Sequence, residues 1–586
     1  MTCGVAWPLL KGEWSPCGEQ PPAPTAGTPA PHATRRGAAV GIPRQSSASR
    51  AGIWPDLKAG ALSPKADGLL LGDTVGYPVS RGILCTLIFF ARAKTLVVGS
   101  GPGGTGFILR AVELDHASSD TFEWFEEGDY DAVLDILDWP KAYNIPGSER
   151  YIKLIDTKEG QAGPGLPLKA IRFTAFGGGA VLNSGGPLTL MDSDDERIQV
   201  AVERYGSQFL AEELKSQALS TDQESDRMME WYDNIGYEVE SDFLTTRKAG
   251  QANRVGYAAS SLSVSRDERR QRAADLVSDY PNRINLHLQT RVKRVVFGPS
   301  RHAIGIELMN GTTVKGDIVV LAGGVFGTYE LLVRSGIGSK RDLETLGVDE
   351  VVADESVGKQ IGDDAGILFF HGGREVHEPD GTWRPGIVAS HGTDFGMTHG
   401  AKHSTYDLLR PAAENTSLVK IDLPATYDSS VSIQDDGTLA YDDSKNYRDE
   451  ICVDEAEFGV LNRTSAPDPL ITGLAALAGI THSTSDKQCS SGRLASNYHY
   501  HGGSQGVLNE DFSVKGTHNL YISDASVTDK YRYGAPTTNI YMIGYAVADA
   551  VYHTASSVPQ SGSLQRHLKT GWVMYFAIPL CLWHLL

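Results

Sequence analysis

The chain lacks the sequence features of a nucleic-acid-binding protein. Asp and Glu number 72 against 53 Lys and Arg, which gives a net charge of −19. No basic stripe with interleaved aromatic residues occurs along the 586 residues. Recognition of a polyphosphate backbone requires clustered positive charge. A nucleic-acid partner is therefore not expected, and the acidic surplus favours solubility.

Cysteine is scarce and shows no metal-binding spacing. The six cysteines are scattered, and none forms a CxxC pair. Closely spaced cysteine pairs are typical of structural zinc sites, and dense cysteine is typical of small secreted domains. The sequence therefore predicts neither a zinc site nor a dense disulfide framework, and cysteine usage assigns no compartment.

Long hydrophobic runs are also lacking, except near the carboxy terminus. No basic start followed by a long apolar segment opens the sequence, so no signal peptide is predicted. Residues 1–80 are rich in Pro, Ala, Gly and Ser and are predicted to be disordered, because they offer few apolar side chains to bury. The tail, 557–586, ends in 17 mostly apolar residues, the lower limit for a bilayer span. A carboxy-terminal membrane anchor stays an alternative, and the location stays unassigned.

A glycine-rich turn follows the first apolar segment of the globular region. The segment TLVV runs into GSGPGG, where Gly99, Gly101 and Gly104 form a GxGxxG pattern. Glycines at this spacing permit a tight turn and a close approach of backbone to a pyrophosphate at a helix N-terminus. A second register, Gly101, Gly103 and Gly106, also fits the pattern. We prefer the first register because the predicted strand ends directly before Gly99.

A carboxylate follows at the spacing expected of a dinucleotide site. Glu126 lies in TFEWFEEGD, at the end of a second predicted strand. Its distance from the last glycine of the pattern is close to the spacing of about 20 residues at which an acidic side chain binds ribose hydroxyls. A solvated charge at a strand end is the alternative. The order strand, loop, helix, strand favours ribose binding by Glu126.

Five further blocks follow in order along the chain. They are AFGGGAVLNSGGPL, INLHLQTRVKRVVF, DIVVLAGGVFGTYELLVRSGIG, VGKQIGDD and DFSVKGTHNLYISDASV. In content and order they resemble the glucose-methanol-choline (GMC) family of FAD-dependent oxidoreductases, over about residues 95–553. The resemblance implies an α/β fold: an FAD-binding Rossmann-like domain with a discontinuous α+β substrate-binding domain.

The resemblance also implies residue roles. Gly178, Gly179 and Asn183 would contact the flavin end of FAD. Val292, in the predicted strand pair INLHLQTRVKRVVF, would contact the adenine. Asp524 would contact the ribityl or pyrophosphate group. NAD is the alternative cofactor because GxGxxG serves both dinucleotides, but the block around Gly178 and the closing block favour FAD by family comparison.

Two histidines flank a tyrosine in SNYHYHGGSQG, residues 496–506. The block is most similar to the plant-type branch of the family, which includes mandelonitrile lyases and HOTHEAD-like dehydrogenases. In that branch the first histidine, here His499, stands at the flavin face. Oxidation of an alcohol needs a base for the hydroxyl proton, and imidazole, with an ordinary pKa near 6.5, suits this task. We predict that His499 is the base and that His501 is a structural hydrogen-bonding residue.

One position departs from the family pattern. The family usually carries a second His or Asn in a turn after the histidine block, where YGAPTT here places Ala535. A methyl group makes no hydrogen bond to a reacting oxygen, and loss of one such partner costs on the order of 10²- to 10³-fold in rate.

Three functions therefore stay open. The leading hypothesis is an FAD-dependent oxidoreductase that acts on the CH–OH group of a small-molecule alcohol, with oxygen or another electron acceptor. A hydroxynitrile-lyase-like flavoprotein is the second. A catalytically impaired flavin-binding protein is the third, and it is suggested by Ala535 at the position of the usual second His or Asn.

The resemblance divides the chain into interleaved segments. Residues from about 200 to 285 have a helix-compatible sequence, whereas the region 366–490 mixes short apolar runs with acidic loops. The predicted segments are 94–200, 286–365 and 491–556 for the FAD-binding domain, and 201–285 and 366–490 for the substrate-binding domain.

Overall fold

The computed structural model describes separate stretches between residues 94 and 557. The described residues are 94–114, 121–129, 151–157, 170–182, 187–188, 193–214, 229–230, 232–234, 236–240, 254–257, 259–260, 273–363, 365–372, 385–391, 395–400, 416–423, 428–442, 451–454, 480–483, 487–490, 495–496, 498–528 and 536–557. The predicted disordered arm and the apolar tail beyond residue 557 lie outside them. Among the helices of these stretches, none has the length and apolarity needed to cross a bilayer.

A five-stranded parallel sheet lies at the centre of the fold. Its spatial order is β3-β2-β1-β4-β5 when the strands are numbered along the chain. This is the order of a doubly wound dinucleotide-binding sheet, in which the strand order reverses at β1 and leaves a crevice at the carboxyl ends of the strands. The predicted α/β class is confirmed. The strands are β1 (Thr95–Val98), β2 (Phe122–Phe125), β3 (Ile284–His287), β4 (Ile318–Leu321) and β5 (Leu520–Ile522).

The two central strands, β1 and β4, are largely apolar. β1 reads TLVV and β4 reads IVVL. Leu96, Val97 and Val320 are fully buried. Central strands of a parallel sheet are covered on both faces, so a continuous apolar run stabilises them better than an alternating one. This pattern places β1 and the loop that follows it at the middle of the sheet.

Three long helices lie beside this sheet: α1 (Pro102–Leu114), α2 (Gly324–Arg334) and α3 (Thr537–Ser557). α1 begins with proline, which suits the first position of a helix because its missing N–H has no partner to lose. α1 and α3 pack with their backbones in close approach, since a Cβ on Gly106 would overlap the carbonyl oxygen of Tyr541. The shorter helices and helical turns are Gly179–Leu182, Glu196–Ala201, Val202–Gly206, Phe209–Glu213, Ala273–Leu276, Pro299–Arg301, Lys340–Leu346, Gln505–Val507 and Ala525–Val527.

An antiparallel meander leaves the central sheet after β3. Its three strands are Val292–Phe297, Ala303–Leu308 and Thr313–Lys315. The block INLHLQTRVKRVVF therefore holds two strands. The sequence predicted that they form a pair, but in the structure each of them pairs with a different strand. The turn between them contains Gln289 at φ 51°, and it directs the chain away from the parallel sheet into a new one.

A seven-stranded sheet is assembled from distant parts of the chain. Its neighbours are antiparallel except for the last pair, which is parallel. In the described part of the region predicted to be helical, from about residue 200 to 285, helix occurs near the start and again at Ala273–Leu276. Two segments between them are strands of this sheet. One of the two, Arg254–Tyr257, pairs with Pro385–His391 far along the chain, which a local pattern does not reveal. In spatial order the strands are Ala495–Ser496, Ala365–Gly372, Thr416–Leu423, Phe395–Gly400, Pro385–His391, Arg254–Tyr257 and Glu238–Glu240.

Smaller sheets complete the described architecture. One mixed four-stranded sheet joins Ile152–Thr157 and Ala170–Phe173 to a hairpin formed by Ser430–Ile433 and Leu439–Asp442. The remaining strands pair as Ile451–Asp454, Lys487–Ser490 and Ile480–Ser483 in one antiparallel sheet, and as Ile337–Gly338 with Val352–Ala353, Ile361–Gly362 with His501–Gly502, and Pro187–Leu188 with Ala259–Ser260.

A network of charged side chains links the four-stranded sheet to α2 and to the end of β2. Arg172 contacts Glu127 at 2.7 Å and Glu330 at 3.0 Å. Glu330 also contacts Arg291 at 2.9 Å and Arg334 at 3.0 Å. The Glu330 side chain is only 10% exposed. In a network this buried, removal of one charge leaves its partners desolvated and unpaired.

Glu330 yields a pH-dependent stability prediction. Burial alone would raise the pKa of Glu330, but the nearby Arg172 and Arg291 outweigh burial and lower that pKa. A carboxyl group with a lowered folded-state pKa stabilises the fold above its unfolded pKa, and the stabilisation is lost as the pH falls through the folded value. We predict that Glu330→Gln lowers the free energy of unfolding by about 3 kcal/mol at pH 7 and by less in acid.

Urea unfolding at neutral pH and near pH 3, below the ordinary glutamate pKa of about 4.3, tests this prediction. Glu344→Gln serves as the matched control, because Glu344 is exposed on the helix Lys340–Leu346. The control is expected to change the free energy of unfolding little at either pH. Equal losses for Glu330→Gln at the two pH values would contradict the assigned role.

Candidate functional site

The loops that follow β1, β4 and β5 meet at the carboxyl edge of the central sheet. Gly99 has φ 106°, and a Cβ there would overlap the carbonyl oxygen of Ala322. A Cβ on Gly103 would overlap the carbonyl oxygen of Ser523. Only glycine lets the three backbones approach this closely. The turn predicted from the sequence thus lies in the crevice where the strand order reverses.

A second glycine-rich turn lies against the first. Gly178 has φ 54°, and a Cβ built on it would stand 2.9 Å from the Cα of Gly101. Gly104 packs against the carbonyl oxygen of Gly99. Gly101 differs from these residues, because among the described residues no atom lies within 4 Å of the position its Cβ would take. The loop therefore presents its backbone to open space at Gly101.

Four of the five predicted glycines thus lie in one place. Gly99, Gly101 and Gly104 shape the loop after β1, and Gly178 covers it. Gly179 begins the short helix Gly179–Leu182 and faces the ring of Phe173. Asn183 lies outside the described residues.

Glu126 is held at the end of β2 beside the first glycine turn. It is 7% exposed. Its Oε2 accepts hydrogen bonds from the backbone N–H of Ser100 at 3.0 Å and from the Ser100 hydroxyl at 2.5 Å, and its Oε1 accepts one from the N–H of Gly128 at 2.7 Å. Burial raises the pKa of Glu126, and these hydrogen bonds offset part of that effect. A carboxylate has about four acceptor positions, so Oε1 retains capacity for one more donor.

The sequence did not single out Ser100. It occupies a variable position of the GxGxxG pattern, yet its hydroxyl donates to Glu126 and accepts from the N–H of Gly177 at 3.0 Å. Ser100 therefore joins the two glycine turns to the carboxylate. A hydroxyl-bearing residue beside a buried acid is a weak sequence signal, because only the fold brings position 100 to position 126.

Asp524 ties the loop after β5 to the N-terminus of α2. It is 3% exposed. Its Oδ2 accepts from the N–H of Gly324 at 3.0 Å and from the Thr328 hydroxyl at 2.5 Å, and its Oδ1 accepts from the N–H of Ser526 at 2.9 Å. Burial raises the pKa of Asp524, whereas the hydrogen bonds and the position at a helix N-terminus favour its charge. The residue predicted to contact the cofactor also holds two loops of the crevice together.

Two buried hydroxyls lie in chain segments that adjoin these loops. Ser526 Oγ and Thr538 Oγ1 have no hydrogen-bond partner in the part of the chain that the structure describes. Ser526 follows Asp524, and Thr538 lies in the first turn of α3. A buried hydroxyl without a partner costs about 1–3 kcal/mol. A polar ligand that hydrogen-bonds to them would remove this cost, as the phosphate or ring oxygens of a dinucleotide could.

His499 lies in a segment that pairs with the Val-Gly block. His501 and Gly502 form an antiparallel pair with Ile361 and Gly362. The backbone N–H of His499 donates to Asp363 Oδ1 at 2.9 Å. His499 is half-buried, whereas His501 is 1% exposed. The geometry agrees with a hydrogen-bonding role for His501 and leaves the imidazole of His499 partly accessible.

The other predicted residues are placed only in part. Val292 is buried at the start of its strand, and the preceding Thr290 donates its N–H to the carbonyl of Glu126 at 2.8 Å. Val292 therefore lies on the Glu126 side of the crevice. Ala535 lies outside the described residues, one position before Pro536, where the description resumes. Among described residues, no cluster of three or more His, Cys, Asp or Glu could hold a metal ion.

Comparison with known proteins connects this geometry to a family. Residues 462–544 match the family model described as GMC oxidoreductase. The chain is 24% identical over 159 residues to Protein HOTHEAD of Arabidopsis thaliana. The aligned segment covers 24% of this chain and 27% of that protein. It is also 27% identical over 141 residues to pyranose dehydrogenase of Agaricus campestris, and that alignment covers 23% of this chain and 24% of that protein. The match thus spans about a quarter of the length of these relatives.

Solved structures share the fold over most of the chain. Pyridoxine 4-oxidase from Mesorbium loti superposes with a TM-score of 0.58 at 17% identity, over 79% of this chain and 99% of that one. A formate oxidase from Aspergillus oryzae, in a study of FAD modification, gives a TM-score of 0.57 at 15% identity, over 79% and 99% of the two chains. At this identity the likeness is one of fold. Together the matches support the GMC resemblance of the sequence blocks.

Proposed function

We propose that this chain is an FAD-dependent oxidoreductase of the GMC type that oxidises the CH–OH group of a small-molecule alcohol. The observation that carries the proposal is the crevice at Gly101, where glycine-rich backbone faces open space beside the buried carboxylate of Glu126. The predicted cofactor, FAD, agrees with the GMC family match and with the flavoprotein fold neighbours.

The described residues fit such a cofactor. The N-terminus of α1 and the N–H groups of its glycine turn favour a pyrophosphate at Gly101. Glu126 Oε1 can accept a further hydrogen bond, as from a ribose hydroxyl. The hydroxyls of Ser526 and Thr538 supply donors that the protein itself leaves unused among the described residues. Asn183 is proposed as a cofactor contact from the family resemblance alone, and the same resemblance places Ala535 among the cofactor-binding positions, beside the reacting oxygen.

His499 carries the proposed proton transfer. When bound, FAD supplies the hydride acceptor for the carbon that bears the alcohol. The imidazole of His499 takes the proton from the substrate hydroxyl, so that loss of hydride from the carbon leaves a neutral carbonyl group and no positive charge builds up on the oxygen. A half-buried position suits this role, because the ring can reach a substrate and still be shielded from bulk water.

The seven-stranded sheet is the proposed framework of the substrate-binding domain. Its strands come from both segments assigned to that domain, near residues 238–257 and 365–423. The strand Ala495–Ser496, which belongs to the third segment predicted for the FAD-binding domain (491–556), forms the edge of this sheet. It ends shortly before His499. The proposed substrate domain is thus connected through the chain to the proposed base.

Ala535 favours a second candidate, a flavin-binding protein with impaired catalysis. On this alternative the crevice binds FAD, but the reacting oxygen lacks the second hydrogen-bonding side chain that the family usually supplies at this position. Binding would then be normal and turnover slow, because electrostatic stabilisation of the transition state is lost.

Anaerobic addition of primary, aryl and sugar alcohols to the flavin-loaded protein tests the proposal. An oxidoreductase is expected to show bleaching of the flavin absorption by at least one alcohol class. A lyase with structural FAD would cleave a cyanohydrin without bleaching. Persistent flavin bands with every alcohol and no cyanohydrin cleavage would favour the impaired protein.

Replacement of Ala535 adds a quantitative prediction. If the missing side chain limits turnover, Ala535→His or Ala535→Asn is expected to raise kcat by about 10²- to 10³-fold. Ala535→Ser is the matched control, because a short hydroxyl group restores polarity with less reach. Stopped-flow reduction of the flavin measures the effect, and equal rates for all four proteins would show that position 535 does not limit turnover.

A further inference from the structure

The main chain of His499 is held by side chains on both sides of the residue. Its N–H donates to the carboxylate of Asp363 at 2.9 Å, and its carbonyl oxygen accepts from Nδ1 of His501 at 2.8 Å. A carbonyl oxygen can only accept, so Nδ1 of His501 carries the hydrogen. The two polar groups of one peptide residue are thus both bound by side chains rather than by strand partners.

Asp363 is well placed to hold the backbone N–H of His499 in a fixed position. It is 4% exposed and follows directly on Gly362, which is paired with His501. The sheet pairing sets the position of Asp363, and Asp363 in turn sets the position of the His499 N–H.

His501 anchors the other side. Its side chain is buried, and its backbone lies in the antiparallel pair with Gly362. Both anchors therefore belong to the same two-stranded element. A shift of the His499 backbone would break the strand pairing of Gly362 with His501 or one of the two side-chain hydrogen bonds.

The backbone on both sides of His499 has positive φ angles, at Tyr498 and at Gly502. Tyr498, directly before His499, has φ 60°, a left-handed conformation that is unfavourable for a large side chain. Gly502 has φ 83°, and a Cβ there would overlap the carbonyl oxygen of Gln360. Glycine adopts a positive φ without strain, so the strain here lies at Tyr498, and a strained residue persists where its surroundings fix it.

We propose that Asp363 and His501 are positioning residues that together fix the main chain of His499, and through it set where its imidazole stands for proton transfer. The proposal rests on the proposed function, in which His499 is the base. It also gives the second histidine of YHYHGG a defined purpose: His501 orients His499 and does not touch the substrate.

Paired substitutions separate hydrogen bonding from side-chain volume. Asp363→Asn and His501→Asn keep an acceptor and a donor close to the native atoms, whereas Asp363→Leu and His501→Leu remove them. A misplacement of about 1 Å at a reacting group can cost about 10²-fold in rate. The Leu variants are therefore expected to lose 10- to 100-fold in kcat with little change in KM or bound flavin, and the Asn variants to stay within a few-fold of wild type.

Hydrogen exchange of the His499 amide, measured by mass spectrometry with fragmentation, provides a readout that needs no turnover. Exchange is expected to accelerate in Asp363→Leu and to stay slow in Asp363→Asn. Unchanged exchange in Asp363→Leu, or fast exchange in both variants, would overturn the hydrogen-bonding anchor. Accelerated exchange with unchanged kcat would overturn its catalytic purpose. Slow exchange in a wild-type protein that reduces no flavin would instead refute the oxidoreductase proposal and leave the anchor intact.

Discussion

Replacement of His499 by glutamine is expected to lower the rate of alcohol oxidation by about 10²- to 10⁴-fold without loss of bound FAD. Glutamine preserves polarity and approximate size but does not accept a proton near neutral pH. The half-buried side chain lies on a segment whose backbone is fixed by Asp363 and His501, so the substitution should not disturb the fold. The measurement is the rate of flavin reduction at saturating alcohol.

His518→Gln provides the matched control for His499→Gln. His518 is exposed before β5, and its ring stacks on that of His302 at 4.4 Å. Its replacement is expected to leave flavin reduction unchanged. An unchanged rate in His499→Gln itself would refute the assignment of His499 as the base, and a loss of bound flavin in that variant would indicate a cofactor-binding role instead.

Gly101→Ala is expected to weaken FAD binding by about 10- to 100-fold while the stability of the apoprotein changes little. In the part of the chain that the structure describes, no atom lies within 4 Å of the added methyl group, so the expected effect is a steric contact with the bound ligand. Overpacking against a pyrophosphate at this position costs about 1–3 kcal/mol. Titration of apoprotein with FAD, followed by flavin fluorescence, gives the affinity, and thermal unfolding gives the stability.

Gly103→Ala is the contrasting variant. Its methyl group would overlap the backbone of Ser523, so this change is expected to destabilise the apoprotein by about 1–3 kcal/mol. The two variants differ by two positions on one loop. Equal FAD affinity in Gly101→Ala and wild type would place the cofactor elsewhere, and a destabilised Gly101→Ala apoprotein would show that the open space is filled by the chain.

Features that depend on neighbouring residues in sequence could be predicted. The apolar run before Gly99, the glycine spacing and the start of α1 at Pro102 belong to one short segment. Its structure follows from local backbone preferences and from the burial of a central strand. The position of Glu126 at the end of β2 follows from the same unit.

Features that depend on distant residues could not be predicted. Asp363 and His499 are 136 positions apart, and only the pairing of their flanking strands brings them together. The segment Arg254–Tyr257 was expected to be helical, but it pairs with Pro385–His391 as a strand. In both cases the deciding partner comes from another part of the chain, and tertiary contacts override the local preference.

The central claim, that the crevice at Gly101 binds FAD, is tested most directly by the visible absorption spectrum of the purified chain, with chromatographic identification of any compound released on denaturation. Flavin absorption bands and release of FAD are expected, either directly or after reconstitution of the apoprotein with FAD. Release of NAD, or a protein that acquires no flavin absorption after reconstitution, would contradict the claim.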